Sequence, residues 1–182
     1  MQRVKRRDKI NYYLDIAETV LERGTCLRRN FGAVIVKNDQ IISSGYVGAP
    51  RGRINCCDTG ACYREEQNIP RGQRFELCRS VHAEMNAIIH AARVDMIGST
   101  LYLVGKEKSS GEYIEDASPC AMCRRVIINA GISNVIMRDN KDIYRNISVA
   151  DEWVHCDVVS EILGYARNKD KFESKESETS QT

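Results

Sequence analysis

Two short clusters, His82-Ala83-Glu84 and Pro119-Cys120-Ala121-Met122-Cys123, constrain this chain more than any other feature. Each alone is common: Cys-x-x-Cys also fits half of a structural zinc site or a redox pair. Together they call for a fold that carries a histidine and two distant cysteines to one point. Cysteines three apart share a helical face, so both sulfurs can reach one ion. Ser118 and Pro119 read as a helix entrance, a serine N-cap followed by proline at the first helical position. Both cysteines then lie in the first turn, where the helix dipole favours thiolates. His82, Cys120 and Cys123 thus make a three-ligand zinc set with the fourth position open, as a catalytic site requires. A zinc ion held so lowers the pKa of bound water to about 7. Glu84, beside this set, is the candidate proton carrier.

The chain has 182 residues, enough for one domain with a real core. The formal net charge of +2 lacks the footprint of a protein that binds long nucleic acids. The basic start, Arg3 to Lys9, reads as a solvated terminus. No apolar run reaches the ~18 residues of a membrane span, and the N-terminus has no apolar core of a signal peptide. The expectation is a cytoplasmic protein, whose eight cysteines point to metal rather than disulfides.

Ile10, Tyr13, Leu14, Ala17, Val20 and Leu21 recur at helical spacing before Gly24. Gly32–Lys37 and Ile41–Tyr46 should form an antiparallel hairpin around Asn38-Asp39. A helix is expected from His82 to Arg93 with Met85, Ile88, Ile89 and Ala92 inward, then a buried strand Thr100–Val104. The helix entered at Ser118 should end at Gly131, and Asn134–Met137 is the next strand, pairing in parallel. Val149–Tyr165 reads as helical. The domain therefore covers residues 1–166, with 167–182 a polar, disordered tail. Two long connections, Gly48–Val81 and Gly105–Ala117, lack periodicity; stretches of this kind are usually functional or held by something.

With Phe31-Gly32-Ala33-Val34-Ile35-Val36, Gly45-Tyr46-Val47-Gly48-Ala49-Pro50, His82-Ala83-Glu84-Met85-Asn86-Ala87-Ile88 and Ala130-Gly131-Ile132, the two clusters resemble the cytidine deaminase superfamily and, within it, the dCMP deaminases. The resemblance runs from helix 1 to Met137. It implies a three-layer α/β/α fold with a five-stranded mixed sheet, and hydrolytic deamination of dCMP to dUMP. It implies that the Ala83 amide holds the pyrimidine carbonyl and the backbone around Ser118 receives the amino group, with Asn86 and Val47 also at the substrate. Homo-oligomers, often hexamers, controlled by dCTP and dTTP are implied as partners. Val47 stands where family members usually carry asparagine, so either another residue contacts the sugar or the substrate differs. Met137 replaces a common aromatic residue, and Gly105–Ala117 is longer than usual; both are expected beside the pocket.

Some phage-type members carry a second, structural zinc, and Cys26 and Cys56 match two of its ligands. Cys62 and Cys78 would complete the set here, with Cys57 in reserve. Free buried cysteines are the alternative. Arg28, Arg29, Arg51 and Arg53 are candidates for gripping a phosphate. His90 reads as a surface or core residue, and no role is assigned to His155-Cys156. Competing functions are deamination of another aminated ring (a nucleoside, a cytosine antibiotic, a pterin or a guanine-type base) and a non-catalytic, zinc-stabilised nucleotide-binding regulator.

Overall fold

Asp8 opens the first helix, α1 (Lys9–Leu21), by accepting a hydrogen bond from the Asn11 amide at 2.9 Å. The computed structural model of the protein describes residues 6–70 and 72–154. Tyr13, Leu14, Ala17 and Leu21 form the buried stripe of α1. β1 (Arg29–Lys37) and β2 (Gln40–Tyr46) follow as an antiparallel hairpin. Its two turn residues, Asn38 and Asp39, have φ of 50° and 65°, the backbone a tight two-residue hairpin demands.

β3 (Thr100–Glu107), β4 (Asn134–Arg138) and β5 (Tyr144–Ser148) complete a sheet of order β2-β1-β3-β4-β5. β3 and β4 run parallel, and the other neighbours are antiparallel. Alternation along the strands divides the core. Val34, Val36, Tyr102, Val104 and Ile136 meet α1 on one face. Ala33, Ile35, Leu101, Leu103, Val135 and Met137 face the other way, against α4 (Ala83–Ile89) and α6 (Ala121–Ala130). The result is the three-layer α/β/α fold with a five-stranded mixed sheet. Among the described residues, no helix is long and apolar enough to cross a membrane.

α4 lies almost backbone to backbone on β2. A Cβ on Gly45 would stand 2.3 Å from the Ala87 nitrogen and 2.4 Å from the Ala83 carbonyl oxygen. Ser43 Oγ donates to the Ala87 carbonyl at 2.7 Å, and Asn86 Nδ2 donates to the Tyr46 carbonyl at 2.8 Å. This contact corrects part of the expected inward face: Ile88 does pack against the core and Met85 is half-buried, but the buried positions are Ala83, Glu84 and Ala87, whereas Ile89 is 72% exposed and Ala92 is exposed. Small residues are needed where two backbones touch, so apolar size misleads. The helix also ends at Ile89, and a separate turn, α5 (Arg93–Met96), follows it.

Gly48–Val81 is closed at its base by paired bonds, Gly48 N–H to Val81 O at 3.2 Å and Val81 N–H to Gly48 O at 2.8 Å. It holds two single-turn helices, α2 (Cys56–Thr59) and α3 (Tyr63–Glu66), and a 3₁₀ turn at Phe75–Leu77. Gly105–Ala117 is shorter than expected, because β3 runs on to Glu107 and Lys106 bridges to Tyr113. Its Tyr113 hydroxyl donates to Glu18 at 2.8 Å, on the α1 face. Buried Arg138 reaches the same Glu18 at 2.8 Å and Asp15 at 2.8 Å. Burial works to raise the Glu18 carboxyl, but Lys106, Tyr113 and Arg138 outweigh it and hold it below the usual value. A π-helical turn covers Val149–Val154; the rest of the expected helix to Tyr165, the tail and His155-Cys156 lie outside the described residues.

Candidate active site

Closing the Gly48–Val81 stretch at its base delivers the chain directly to His82, which caps α4 in an extended conformation (φ −69°, ψ 152°). Cys120 does the same for α6 (φ −65°, ψ 166°), one turn before Cys123. The helix thus starts two residues later than Ser118 and Pro119 suggest. The Ser118 hydroxyl is taken by the Arg124 side chain at 3.1 Å instead of capping the helix.

These entrances bring three candidate ligands together. His82 Nδ1 lies 3.5 Å from Cys120 Sγ and 3.4 Å from Cys123 Sγ, and all three atoms fall within 4.8 Å of one another. Nitrogen and sulfur ligands of a tetrahedral zinc stand about 3.6 Å apart, so the donor set and its spacing fit that ion. The pair also fits chemically. A hydrogen bond from the Cys123 thiol outweighs burial and, with His82, holds Cys120 well below the usual thiol range, while Cys123 itself is pushed up as the donor. A metal displaces that shared proton on binding. Phe75 stands edge-on to the His82 ring, with centroids 4.9 Å apart, and the Arg64 guanidinium rides on Phe75 at 4.9 Å. The cysteine-rich stretch is therefore packed against a metal ligand.

Glu84 is 4% exposed, and burial pushes its carboxyl up. It lines a cavity of about 620 Å³ together with His82 and Cys120, a size suited to a small-molecule ligand. Ala83, Ser118 and Val47 are on the same wall, and so are Arg28 and Arg29. Arg64 and Arg124 also line it; sequence reasoning missed both, since nothing local marks which arginine folds inward.

Cys26 and Cys78 also line the cavity, and the other expected residues lie elsewhere. Asn86 is committed to the Tyr46 carbonyl and is not part of the lining. Arg51 contacts His90 at 3.2 Å on an exposed surface, and Arg53 is exposed. Met137 is 1% exposed in the core, so it is not beside the pocket, and the cavity wall begins only at Ser118, after the Gly105–Ala117 connection. Cys56 is buried; burial raises its thiol, and Cys26, Cys78 and Cys62 are near enough to act on its charge. Cys57 instead points outward to Asp58. Among the described residues, the four inner cysteines do not converge as tightly as His82, Cys120 and Cys123.

Residues 7–138 match the family model described as the cytidine and deoxycytidylate deaminase zinc-binding region. The chain is 33% identical over 138 residues to the deoxycytidylate deaminase of Mycobacterium phage D29, covering 73% of this chain and 96% of that protein. With the deoxycytidylate deaminase of Schizosaccharomyces pombe it shares 31% identity over 126 residues, 69% of this chain but only 35% of the yeast protein. The chain thus spans about a third of that relative's length. Among solved structures it is similar to the dCMP deaminase from the cyanophage S-TIM5 in complex with dCMP and dUMP. The TM-score is 0.51 and the identity 26%, over 75% of this chain and 85% of that one.

Proposed function

The chain belongs to the cytidine and deoxycytidylate deaminase zinc-binding family, and from that premise we propose that it is a zinc-dependent hydrolase converting dCMP and water to dUMP and ammonia. One observation carries the choice of a nucleotide: the cavity that holds His82, Glu84 and Cys120 is also lined by Arg28, Arg29, Arg64 and Arg124. Guanidinium groups suit a phosphate, and Glu84 is the one carboxylate among the described residues of that lining; outside it Arg28 pairs with Glu65 at 3.0 Å and Arg29 with Glu107 at 2.7 Å, while Arg124 is taken by Ser118 and Pro119.

His82, Cys120 and Cys123 would hold the zinc. When bound, it supplies the Lewis acidity that makes water a competent nucleophile near neutral pH. Glu84 carries the protons. It accepts one from the attacking water and gives it to the ring nitrogen N3 as the C4–O bond forms, then takes the second from the C4 hydroxyl and delivers it to the amino nitrogen, so that the C4–N bond breaks, C4=O forms and ammonia leaves. Its burial suits this task, because a carboxyl that desolvation has raised can hold a proton instead of losing it to solvent. Ala83 is the first residue of α4, so its N–H has no partner within the helix and is available to the pyrimidine carbonyl. The backbone at Ser118 receives the amino group. Asn86 acts from behind, holding the end of β2 where Val47 joins the wall.

The same reading includes a second, structural zinc on Cys26, Cys56, Cys62 and Cys78. The nearness of Cys26, Cys78 and Cys62 to the buried Cys56 supports it, and the outward turn of Cys57 favours Cys62 as the fourth ligand. Homo-oligomeric assembly and control by dCTP and dTTP rest on the family resemblance.

Val47 and Phe31 favour a second reading. They give the wall an apolar patch that cannot hydrogen-bond a sugar, as a deaminase for another aminated ring would permit. Absorbance loss with dCMP, dCTP, deoxycytidine, cytosine and guanine decides between them. The expected result is turnover of dCMP with kcat/KM at least about tenfold above deoxycytidine, one good charge-assisted phosphate contact. Preference for a ring without phosphate supports the second reading. No turnover of any of the five supports a binding protein.

A further inference from the structure

We infer that Trp153 and Arg124 form a latch that fixes the Ser118–Pro119 turn, so that a segment beyond the family-matched region positions the wall of the active site. Residues 7–138 account for the family match, and Trp153 lies outside it. Arg124 follows the ligand Cys123 on α6. Its Nε donates to the Pro119 carbonyl at 3.0 Å and its Nη2 to Ser118 Oγ at 3.1 Å. One guanidinium therefore grips both residues that precede the ligand Cys120.

That grip needs a guanidinium held in one orientation, and the ring of Trp153 provides the backing. The Arg124 Cζ sits over it, 5.1 Å from the centroid. Trp153 is itself fixed: it is 7% exposed and packs in the core with Ile127 and Val149. From the other side Arg145, on β5, donates to the Ala117 carbonyl at 2.7 Å while Asp139 holds its guanidinium at 2.7 Å. The turn is thus clamped by two arginines, one backed by a carboxylate and the other by an aromatic face. No side chain caps α6, so nothing in the helix start replaces the Arg124 bonds if they loosen. The latch bonds go to Ser118 and Pro119 and not to His82, Cys120 or Cys123, so the latch governs the substrate wall rather than the metal. Arg124 is a positioning residue, and its predicted effect on catalysis rests on the proposed deaminase reading, in which the backbone at Ser118 receives the amino group.

The test is a double-variant cycle on zinc-loaded full chain: wild type, Trp153→Leu, Arg124→Lys and the pair, with Trp153→Phe as rescue. Leucine stays apolar but has no ring face, and lysine cannot make both bonds while lying flat on a ring. Each single variant is expected to keep its zinc and lose about ten- to a hundredfold in kcat on dCMP, the cost of a slightly misplaced wall. The double variant should be no worse than either single one, because both break the same contact. Trp153→Phe should recover most of the rate. Additive losses, unchanged kcat and KM in either single variant, or equal damage from phenylalanine and leucine would each overturn the latch. If Trp153→Leu fails to fold, Arg124→Lys still decides, since it leaves the core intact. Amide exchange at Ser118 and Cys120 in the same proteins reads the latch without substrate. Absence of dCMP turnover by wild type therefore refutes the deaminase reading separately, while wild-type exchange in Arg124→Lys refutes the latch.

Discussion

Glu84→Gln is expected to leave the zinc in place and reduce dCMP turnover by about ten thousandfold, the upper end for loss of a positioned acid–base group. Glutamine matches glutamate in shape but cannot accept a proton from water and pass it to N3. Glu84 is not among the three converging ligand atoms, so metal content should stay at the wild-type value. Stability separates loss of chemistry from loss of fold. Glu84 is 4% exposed, and burial works against its ionised form. A neutral amide avoids that cost, so the variant should melt no lower than wild type. The checks are zinc analysis, thermal melting and initial rates on one preparation. Activity within tenfold of wild type would remove Glu84 from the mechanism.

The second large effect concerns the metal. Cys123 is fully buried and lies 3.4 Å from His82 Nδ1, where no water can replace its sulfur. Serine is nearly the same size but a poor zinc ligand, so Cys123→Ser should lose the catalytic zinc and all measurable turnover, and added zinc should not restore either. Wild type stripped by a chelator should recover when zinc returns. Metal analysis of the same proteins examines the cysteine cluster. Two zincs per chain are expected in wild type and one in Cys123→Ser. Cys26→Ser should also hold one, with the catalytic site still loaded. A single zinc in wild type, unaffected by Cys26→Ser, would leave Cys26, Cys56, Cys62 and Cys78 as free thiols.

The hairpin, α1 and the end of α6 were legible in the sequence because each depends on local signals. Asn38-Asp39 tolerates positive φ, the α1 stripe repeats at helical spacing, and Gly131 takes φ 80° where the helix must stop. His82, Cys120 and Cys123 were legible as a signature, His-x-Glu followed by Pro-Cys-x-x-Cys, that resembles the zinc deaminases, and the fold brings the three side chains together. The rest depended on partners distant in sequence. The inward face of α4 is chosen by Gly45 on another strand, which admits Ala83 and Ala87 and turns Ile89 outward. Ser118 has the residue type of an N-cap, but Arg124 claims its hydroxyl, so α6 begins at Ala121. Arg64 and Arg124 look like any surface arginine until Phe75 and Trp153 are packed beneath them.

Hydrolytic deamination of dCMP is tested most directly by incubating zinc-loaded protein with dCMP in water enriched in heavy oxygen and weighing the product. Hydrolytic deamination predicts dUMP carrying one heavy oxygen on the ring at C4, with one ammonia released per dUMP formed. Unlabelled dUMP would contradict the hydrolytic mechanism, and dCMP recovered intact from fully zinc-loaded protein would contradict the assignment of this cavity to dCMP.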